Sequence, residues 1–300
     1  MNSKAQSLKA FLGQAARVAL VEVAATKGST PRETGAFMLV SASAIFGTIG
    51  GGQLEFMAID KARQMLSKRA PSRSEAGEAR IEVDEVCATL DVPLGPEIGQ
   101  CCGGRVEVLI RLVDPALKQE LVAKAEAEEA HLPHVYVFGG GHVGQALAAT
   151  LSLLPLHVVV VETRADALEG MPETVETRLT PMPESAVREA PAGSAFAILT
   201  HDHALDFLIV AEALMRDDAA YVGMIGSKTK KATFKNWFLK SAEGSEAEFN
   251  RLVSPIGGNA VKDKRPSVIA ALAAAEIMTA LVSRAAKMAG SNVSEKAVAD

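Results

Sequence analysis

Strand-like apolar runs and runs with helical spacing follow one another along the first part of the chain. Apolar residues recur at helical spacing in LKAFLGQAARVAL, and strand patterns follow in VALVEVAAT, AFMLVS and GRVEVLIRLV. Turns rich in glycine and proline, such as KGSTPRETG, separate the strands. A charged helical run, PALKQELVAKAEAEEAH, comes last, before the short linker LPH. The pattern predicts an N-terminal α/β domain over residues 1–133.

Strands and helices alternate more regularly in the second half of the chain. HVYVF, HVVVVE, AFAIL and YVGMI have the pattern of buried strands, and DFLIVAEALMR is helical between two of them. This alternation predicts a parallel sheet covered by helices. We assign a Rossmann-like domain to residues 134–286, with a last helix that begins near Pro266 and a mobile tail over 287–300. The predicted fold class is therefore α/β in both domains.

A glycine motif follows the first strand of the second domain. Gly139, Gly141 and Gly144 have the spacing G-x-G-x-x-G between a predicted strand and a predicted helix. Glu162 ends the next strand, about 20 residues further on, where dinucleotide-binding proteins carry the acid that holds a ribose hydroxyl. Ser227 and Lys228 follow another strand and would suit a phosphate, although a solvated basic loop fits them equally well. These features predict a nucleotide-binding crevice.

The composition narrows the functional classes. Hydrophobic residues make up 48% and charged residues 22% of the 300 residues, which is a globular balance. The formal net charge of -5 argues against nucleic acid as a partner. The apolar runs considered, such as HVVVVE, are much shorter than a membrane-spanning helix, and the N-terminal run lacks the features of a signal peptide. We therefore expect a soluble cytoplasmic protein, with no membrane association, whose cysteines are free thiols.

The segment GPEIGQCCGGRVEVLI contains two of the three cysteines, Cys101 and Cys102. Gln100 precedes them and Gly103 and Gly104 follow them. Two small buried residues at the start of a strand would have a purely structural role. Bare backbone beside two thiols, however, lets a ligand come close, and sulfur suits a soft metal.

A second glycine run, Gly50, Gly51 and Gly52, precedes a predicted amphipathic helix. Glycine lets the backbone turn sharply there, and the free N–H groups at the start of a helix attract anions. A tight turn without a ligand is the alternative. The sequence alone favours the tight turn, because such turns greatly outnumber ligand-binding loops.

Several segments together resemble the xanthine dehydrogenase accessory protein family, XdhC- and CoxI-like. They are GSTPRETGAFMLV, GTIGGGQLEF, LGPEIGQCCGGRVEVL, VYVFGGGHVGQAL, THDHALD, YVGMIGSKTKK and SPIGG, and they span most of residues 26–280 in one order. The resemblance implies a chaperone for molybdenum cofactor (molybdopterin). Such a protein protects the cofactor while a cysteine desulfurase exchanges an oxo ligand for a sulfido ligand, and it assists insertion into xanthine dehydrogenase. The resemblance implies no catalytic residues, and we also expect a homodimer.

With this family in view, the glycine loops are predicted to hold the phosphate end of the cofactor and the cysteine pair its molybdenum end, in a cleft between the domains. The predicted cofactor-binding residues are Gly50, Gly51, Gly52, Gln100, Cys101, Cys102, Gly103, Gly104, Gly139, Gly141, Gly144, Glu162, Ser227 and Lys228, with Cys101 and Cys102 as metal ligands. The Rossmann crevice would hold a nucleotide. The competing hypotheses are an NAD(P)-dependent oxidoreductase that uses the Rossmann domain directly, and a nucleotide-sensing interaction protein.

Overall fold

A computed structural model of the chain describes residues 4–67, 87–94 and 103–297, with side chains up to Lys287. The chain divides into two compact units, which meet between Glu128 and Glu129. This division lies inside the last turn of a helix that ends at Ala130, a few residues before the boundary that the sequence predicted near residue 133.

The first unit is built around a five-stranded antiparallel sheet with the strand order β3-β2-β1-β5-β4. Its elements are α1 (Lys4–Gln14), β1 (Ala19–Lys27), β2 (Phe37–Val40), β3 (Ile45–Gly47), α2 (Gly52–Ser67), β4 (Cys87–Pro93), β5 (Arg105–Leu112) and α3 (Pro115–Ala130). Alternate residues of β1 face opposite sides, as the period of a strand requires. Val21 and Val23 pack with α2, and Leu20 packs with α1 and α3.

The second unit is a six-stranded parallel sheet with the strand order β11-β10-β9-β6-β7-β8. Its elements are β6 (His134–Phe138), α4 (His142–Leu151), β7 (His157–Glu162), a short 3-10 helix (Asp166–Leu168), β8 (Glu176–Leu179), α5 (Glu184–Glu189), β9 (Ala195–Ile198), α6 (His203–Met215), β10 (Tyr221–Met224), α7 (Lys228–Ser241), α8 (Glu246–Phe249), β11 (Leu252–Val253) and α9 (Pro266–Ala297). The predicted α/β fold with a parallel sheet is confirmed.

Helices cover both faces of the parallel sheet. The helices α5 to α8 contribute to one apolar core, and α4 and α9 contribute to the other. The chain leaves β6 for β7 on one side and later returns to β9 on its other side. The point between β6 and β9 is therefore the topological switch point, where open α/β sheets bind ligands at the carboxyl ends of their strands.

The last helix, α9, differs from its prediction in two ways. It continues to Ala297, so most of the segment predicted as a mobile tail is helical, and that segment contains no proline that would stop a helix. Its part Pro266–Lys287 has 22 residues and contains an 18-residue window with a mean hydropathy of 1.7, so it could cross a membrane by length and composition alone. This length of apolar helix differs from the expectation that the apolar runs are much shorter than a membrane-spanning helix. One face of α9, with Ala270, Ala273 and Ile277, nevertheless belongs to the domain core.

A buried ion pair joins α6 to α7. The Asp206 side chain is fully buried and the Lys230 side chain is 7% exposed, and the Lys230 ammonium donates to the Asp206 carboxylate. Lys230 also donates to the Ile225 carbonyl at 3.0 Å. The other carboxylate oxygen of Asp206 accepts hydrogen bonds from the Thr200 hydroxyl at 2.7 Å and from the Thr200 N–H at 3.1 Å. These contacts fix the ends of β9 and β10.

We predict that Asp206→Asn lowers the free energy of unfolding by about 3–5 kcal/mol, because the buried Lys230 ammonium loses its counter-charge. Glu246→Gln is the matched control, since the Lys235–Glu246 pair is 40% and 60% exposed and its loss should cost less than about 1 kcal/mol. Replacing Asp206 and Lys230 together by Leu and Met should restore much of the loss. Urea unfolding followed by circular dichroism measures all four proteins, and equal losses for the two acid-to-amide variants would contradict the prediction.

Candidate functional site

Three of the quoted motifs meet in the first unit. The turn after β1 lies against the segment that follows the cysteine pair: a Cβ atom on Gly28 would be 3.3 Å from the Gly104 Cα, and one on Gly104 would collide with the Ser29 carbonyl oxygen. The same turn reaches the glycine run before α2, because a Cβ on Gly50 would lie 2.8 Å from the Pro31 Cγ. A side chain on Gly104 would collide with the backbone of the turn, and one on Gly50 would collide with the Pro31 ring.

The hairpin that carries the cysteine pair is closed by backbone hydrogen bonds. The Gly103 N–H donates to the Leu94 carbonyl at 2.9 Å, and the Leu94 N–H donates to the Gly104 carbonyl at 2.8 Å. The predicted site residues Gln100, Cys101 and Cys102 lie outside the described residues. Their contact with molybdenum therefore stays a prediction.

The glycine run before α2 binds a carboxylate of its own domain. Glu55, in the first turn of α2, accepts hydrogen bonds from the Thr48 hydroxyl at 2.6 Å and from the N–H groups of Gly51 and Ile49 at 3.0 and 3.1 Å. Burial raises the pKa of Glu55, but these hydrogen bonds outweigh burial and hold the pKa below its ordinary value. The Gly50 N–H donates to the Thr48 hydroxyl at 3.1 Å. Two of the three predicted glycine donors are therefore already occupied.

The three glycines of the motif in the second unit have different structural roles. Gly139 has φ +110°, and a Cβ there would lie 2.6 Å from the Leu199 carbonyl oxygen. A Cβ on Gly144 would collide with the Gly139 carbonyl oxygen, so the helix can pack only if this residue is glycine. Gly141 has open space around it and precedes α4 without any side-chain cap. These are the three roles that glycines play in a dinucleotide-binding loop: a tight turn, close packing and access for a phosphate.

Glu162 points into the glycine loop. One carboxylate oxygen accepts the Gly140 N–H at 2.8 Å, and the other accepts the N–H groups of Thr163 and Arg164 at 2.7 and 3.2 Å. The residue is only 4% exposed. Burial raises its pKa, but the hydrogen bonds outweigh burial and hold the pKa below its ordinary value. The predicted ribose acid thus braces the loop itself in this structure.

The turn with Ser227 and Lys228 has a structural task as well. The Ser227 hydroxyl caps α7 by accepting the Lys230 N–H at 3.2 Å, and Lys228 is exposed at the start of that helix. A Cβ on Gly226 would lie 2.7 Å from the Lys230 Cδ, so the small residue makes room for the buried lysine. The sequence analysis named Lys228 and missed Lys230.

Other residues of these sites were also missed from sequence. Each of two missed acids had one feature visible in the sequence. Asp206 lies in the first turn of a mainly apolar helix, and Glu55 lies in the first turn of the helix that follows a glycine run. Arg32 lies in the turn that meets the glycine run, and a lone arginine among turn residues gave no signal. The structure brings Glu55, Arg32, Gly50 and Gly104 into one unit and Glu162, Thr200 and the Gly139 loop into the other.

We predict that Glu162 stabilises the second unit in a pH-dependent way. A carboxyl group whose pKa is lowered in the folded state adds stability above its ordinary pKa of about 4.3, and that stability is lost as the pH falls through the folded pKa. Glu162→Gln should therefore unfold at lower urea concentration than wild type at pH 7, and the difference should shrink below about pH 4. Glu169→Gln, at an exposed position, is the control. A difference that is the same at pH 7 and pH 3 would contradict the pKa assignment.

Known proteins resemble the chain along most of its length. The uncharacterized protein YqeB of Escherichia coli K12 is 25% identical over 269 residues, which cover 87% of this chain and 43% of YqeB. The chain thus spans less than half the length of that relative. A crystal structure described as a xanthine dehydrogenase from Bacillus halodurans superimposes with a TM-score of 0.74 at 18% identity, covering 94% of this chain and 97% of the other. At that identity the likeness shows the fold.

Two family models match separate parts of the chain. The model of the XdhC and CoxI family matches residues 12–75, which include the turn after β1 and the glycine run before α2. The model of the XdhC Rossmann domain matches residues 135–277, which include the Gly139 loop, Glu162 and the ion pair. Both matches fall on the sites described above, in the order in which the domains follow one another. The chain therefore belongs to the XdhC and CoxI family.

Proposed function

We propose that this protein binds molybdenum cofactor in the cytoplasm, shields it while a cysteine desulfurase replaces an oxo ligand by a sulfido ligand, and assists its insertion into xanthine dehydrogenase. Membership of the XdhC and CoxI family supports the accessory role in general. The observation that carries the finer proposal is the meeting of three loops in the first unit, where the turn after β1 contacts both Gly50 and Gly104.

The open backbone at this junction suits a bulky ligand. Among the described residues, no atom lies within 4 Å of the position that a Cβ on Gly51 or Gly103 would occupy. Gly103 directly follows Cys102. Bound cofactor would supply a molybdenum centre that carries sulfur ligands. Cysteine thiols are suited to contact such a metal centre. On this proposal the chain itself does not catalyse the exchange; it holds and shields the ligand.

A second proposal concerns the Rossmann crevice, where we propose that a nucleotide phosphate binds at the start of α4. The observation that favours it is Gly141, which lies open at the uncapped end of that helix, next to the switch point between β6 and β9. Helix N-termini with free N–H groups bind phosphates. The alternative, an NAD(P)-dependent oxidoreductase, requires in addition an acid or base placed beside a substrate.

We predict that cofactor retention depends on the cysteine pair. Wild type, Cys101→Ala and Cys102→Ala are loaded with molybdenum cofactor and desalted, and bound molybdenum and the activation of apo-xanthine dehydrogenase are measured. At least one variant should retain less than about a tenth of the wild-type molybdenum, because a thiolate ligand is lost. Cys87→Ala, at the exposed free cysteine that begins β4, is the matched control and should behave as wild type. Equal retention by all four proteins would leave the pair without a ligand role.

We predict that substitution of Gly141 lowers nucleotide affinity, whereas substitution of Gly144 lowers the stability of the domain. Gly141→Val places a side chain in open space, so the domain should stay folded while nucleotide affinity falls about tenfold or more. Gly144→Ala should destabilise the domain, because its Cβ collides with the Gly139 carbonyl oxygen. Calorimetric titration with NAD and ADP, together with thermal unfolding, measures both effects. Unchanged nucleotide affinity in Gly141→Val would contradict the crevice, and steady hydride transfer by wild type would favour the oxidoreductase.

A further inference from the structure

Two exposed cations, Lys27 and Arg32, lie at the end of β1 and in the turn that follows it. Within the described part of the chain, neither side chain has an ion pair or a hydrogen bond. Two other arginines of the same unit are paired, Arg105 with Asp91 and Arg111 with Glu22. The turn therefore has positive charge that the fold itself does not use.

Arg32 is held where the loops meet. The Thr30 hydroxyl donates to the Arg32 carbonyl at 3.0 Å, which stabilises the turn around it. A Cβ on Gly50 would lie 3.5 Å from the Arg32 Cγ, so the stem of the arginine rests close to the glycine run. The aliphatic part of the Arg32 side chain is thereby held in place, while its guanidinium group stays exposed.

An anion at the glycine run has to be bound by a side chain in addition to the backbone. The Gly51 N–H already donates to Glu55 and the Gly50 N–H to Thr48, so an incoming anion finds these donors occupied. Beside them lies an open depression of about 450 Å³, lined by Pro31, Arg32, Glu33, Thr34 and Ala36. Small-molecule sites measure roughly 300–1,000 Å³.

We propose that Arg32 binds the phosphate monoester of the cofactor in this depression. The inference rests on the proposed function and adds which residue takes the phosphate end. A guanidinium presents its N–H groups as a planar fork that binds two phosphate oxygens at once. Glu33 lines the same depression and repels an anion. Neutralising Glu33 therefore favours anion binding, whereas neutralising Arg32 weakens it.

The probes are the fluorescent oxidised pterin obtained from molybdenum cofactor and the same pterin after removal of its phosphate. Wild type should bind the phosphorylated pterin at least about tenfold more tightly than the dephosphorylated one. Arg32→Gln should lose about tenfold in affinity for the phosphorylated pterin alone, and Glu33→Gln should bind it as tightly as wild type or more tightly. Arg63→Gln removes the same charge from an exposed position on α2 and should change nothing.

Two results would overturn the inference: equal binding of both pterins by wild type, or an unaltered phosphate preference in Arg32→Gln. If wild type retains molybdenum while Arg32→Gln keeps the phosphate preference, the proposed function stands and the phosphate assignment fails. If the preference depends on Arg32 but no protein retains molybdenum, the phosphate site stands and the proposed function fails. Weaker binding in Glu33→Gln would also contradict the electrostatic assignment.

Discussion

Each domain holds a glycine loop by donating backbone N–H groups to one of its own glutamates. Glu55 accepts from Gly51 and Ile49, and Glu162 accepts from Gly140. Hydrogen bonds to the charged form keep both carboxyl pKa values below the ordinary range in spite of burial. Glycine residues contribute no side-chain packing, so the hydrogen bonds to the carboxylate hold each loop in a defined shape. Both candidate sites depend on this contact.

The internal carboxylates also decide where a ligand can be held. A carboxylate that occupies a loop N–H group leaves a ligand phosphate to be bound by other donors. In the second unit the donors proposed for it are the first N–H groups of α4, which follow the open Gly141. In the first unit the proposed donor is Arg32, whose Cγ lies 3.5 Å from the position of a Cβ on Gly50. On these proposals the second unit binds a phosphate with a helix N-terminus, and the first unit binds one with a side chain.

The glycines of the quoted motifs fall into two classes that spacing alone does not separate. Gly50, Gly104 and Gly144 are required by packing, because a Cβ would strike a neighbouring segment. Among the described residues, none lies within 4 Å of a Cβ on Gly51, Gly103 or Gly141, so contacts with those residues do not require glycine there. Access for a ligand is the remaining physical reason at Gly141, whose φ of -69° any residue adopts. Gly51 and Gly103 have positive φ, which is itself a reason for glycine.

The sequence by itself determined the α/β class, the parallel sheet, the Rossmann motif and the family, because periodicity and motif order are properties of the chain. It did not determine that Glu162 turns inward, that Asp206 pairs with Lys230, or that the turn at Arg32 meets Gly50. These contacts join residues far apart or separated by a loop, and only the folded backbone sets their distances. It also left unresolved whether a glycine was open or packed. That distinction depends on which segment lies above each Cα, and only the tertiary structure decides it.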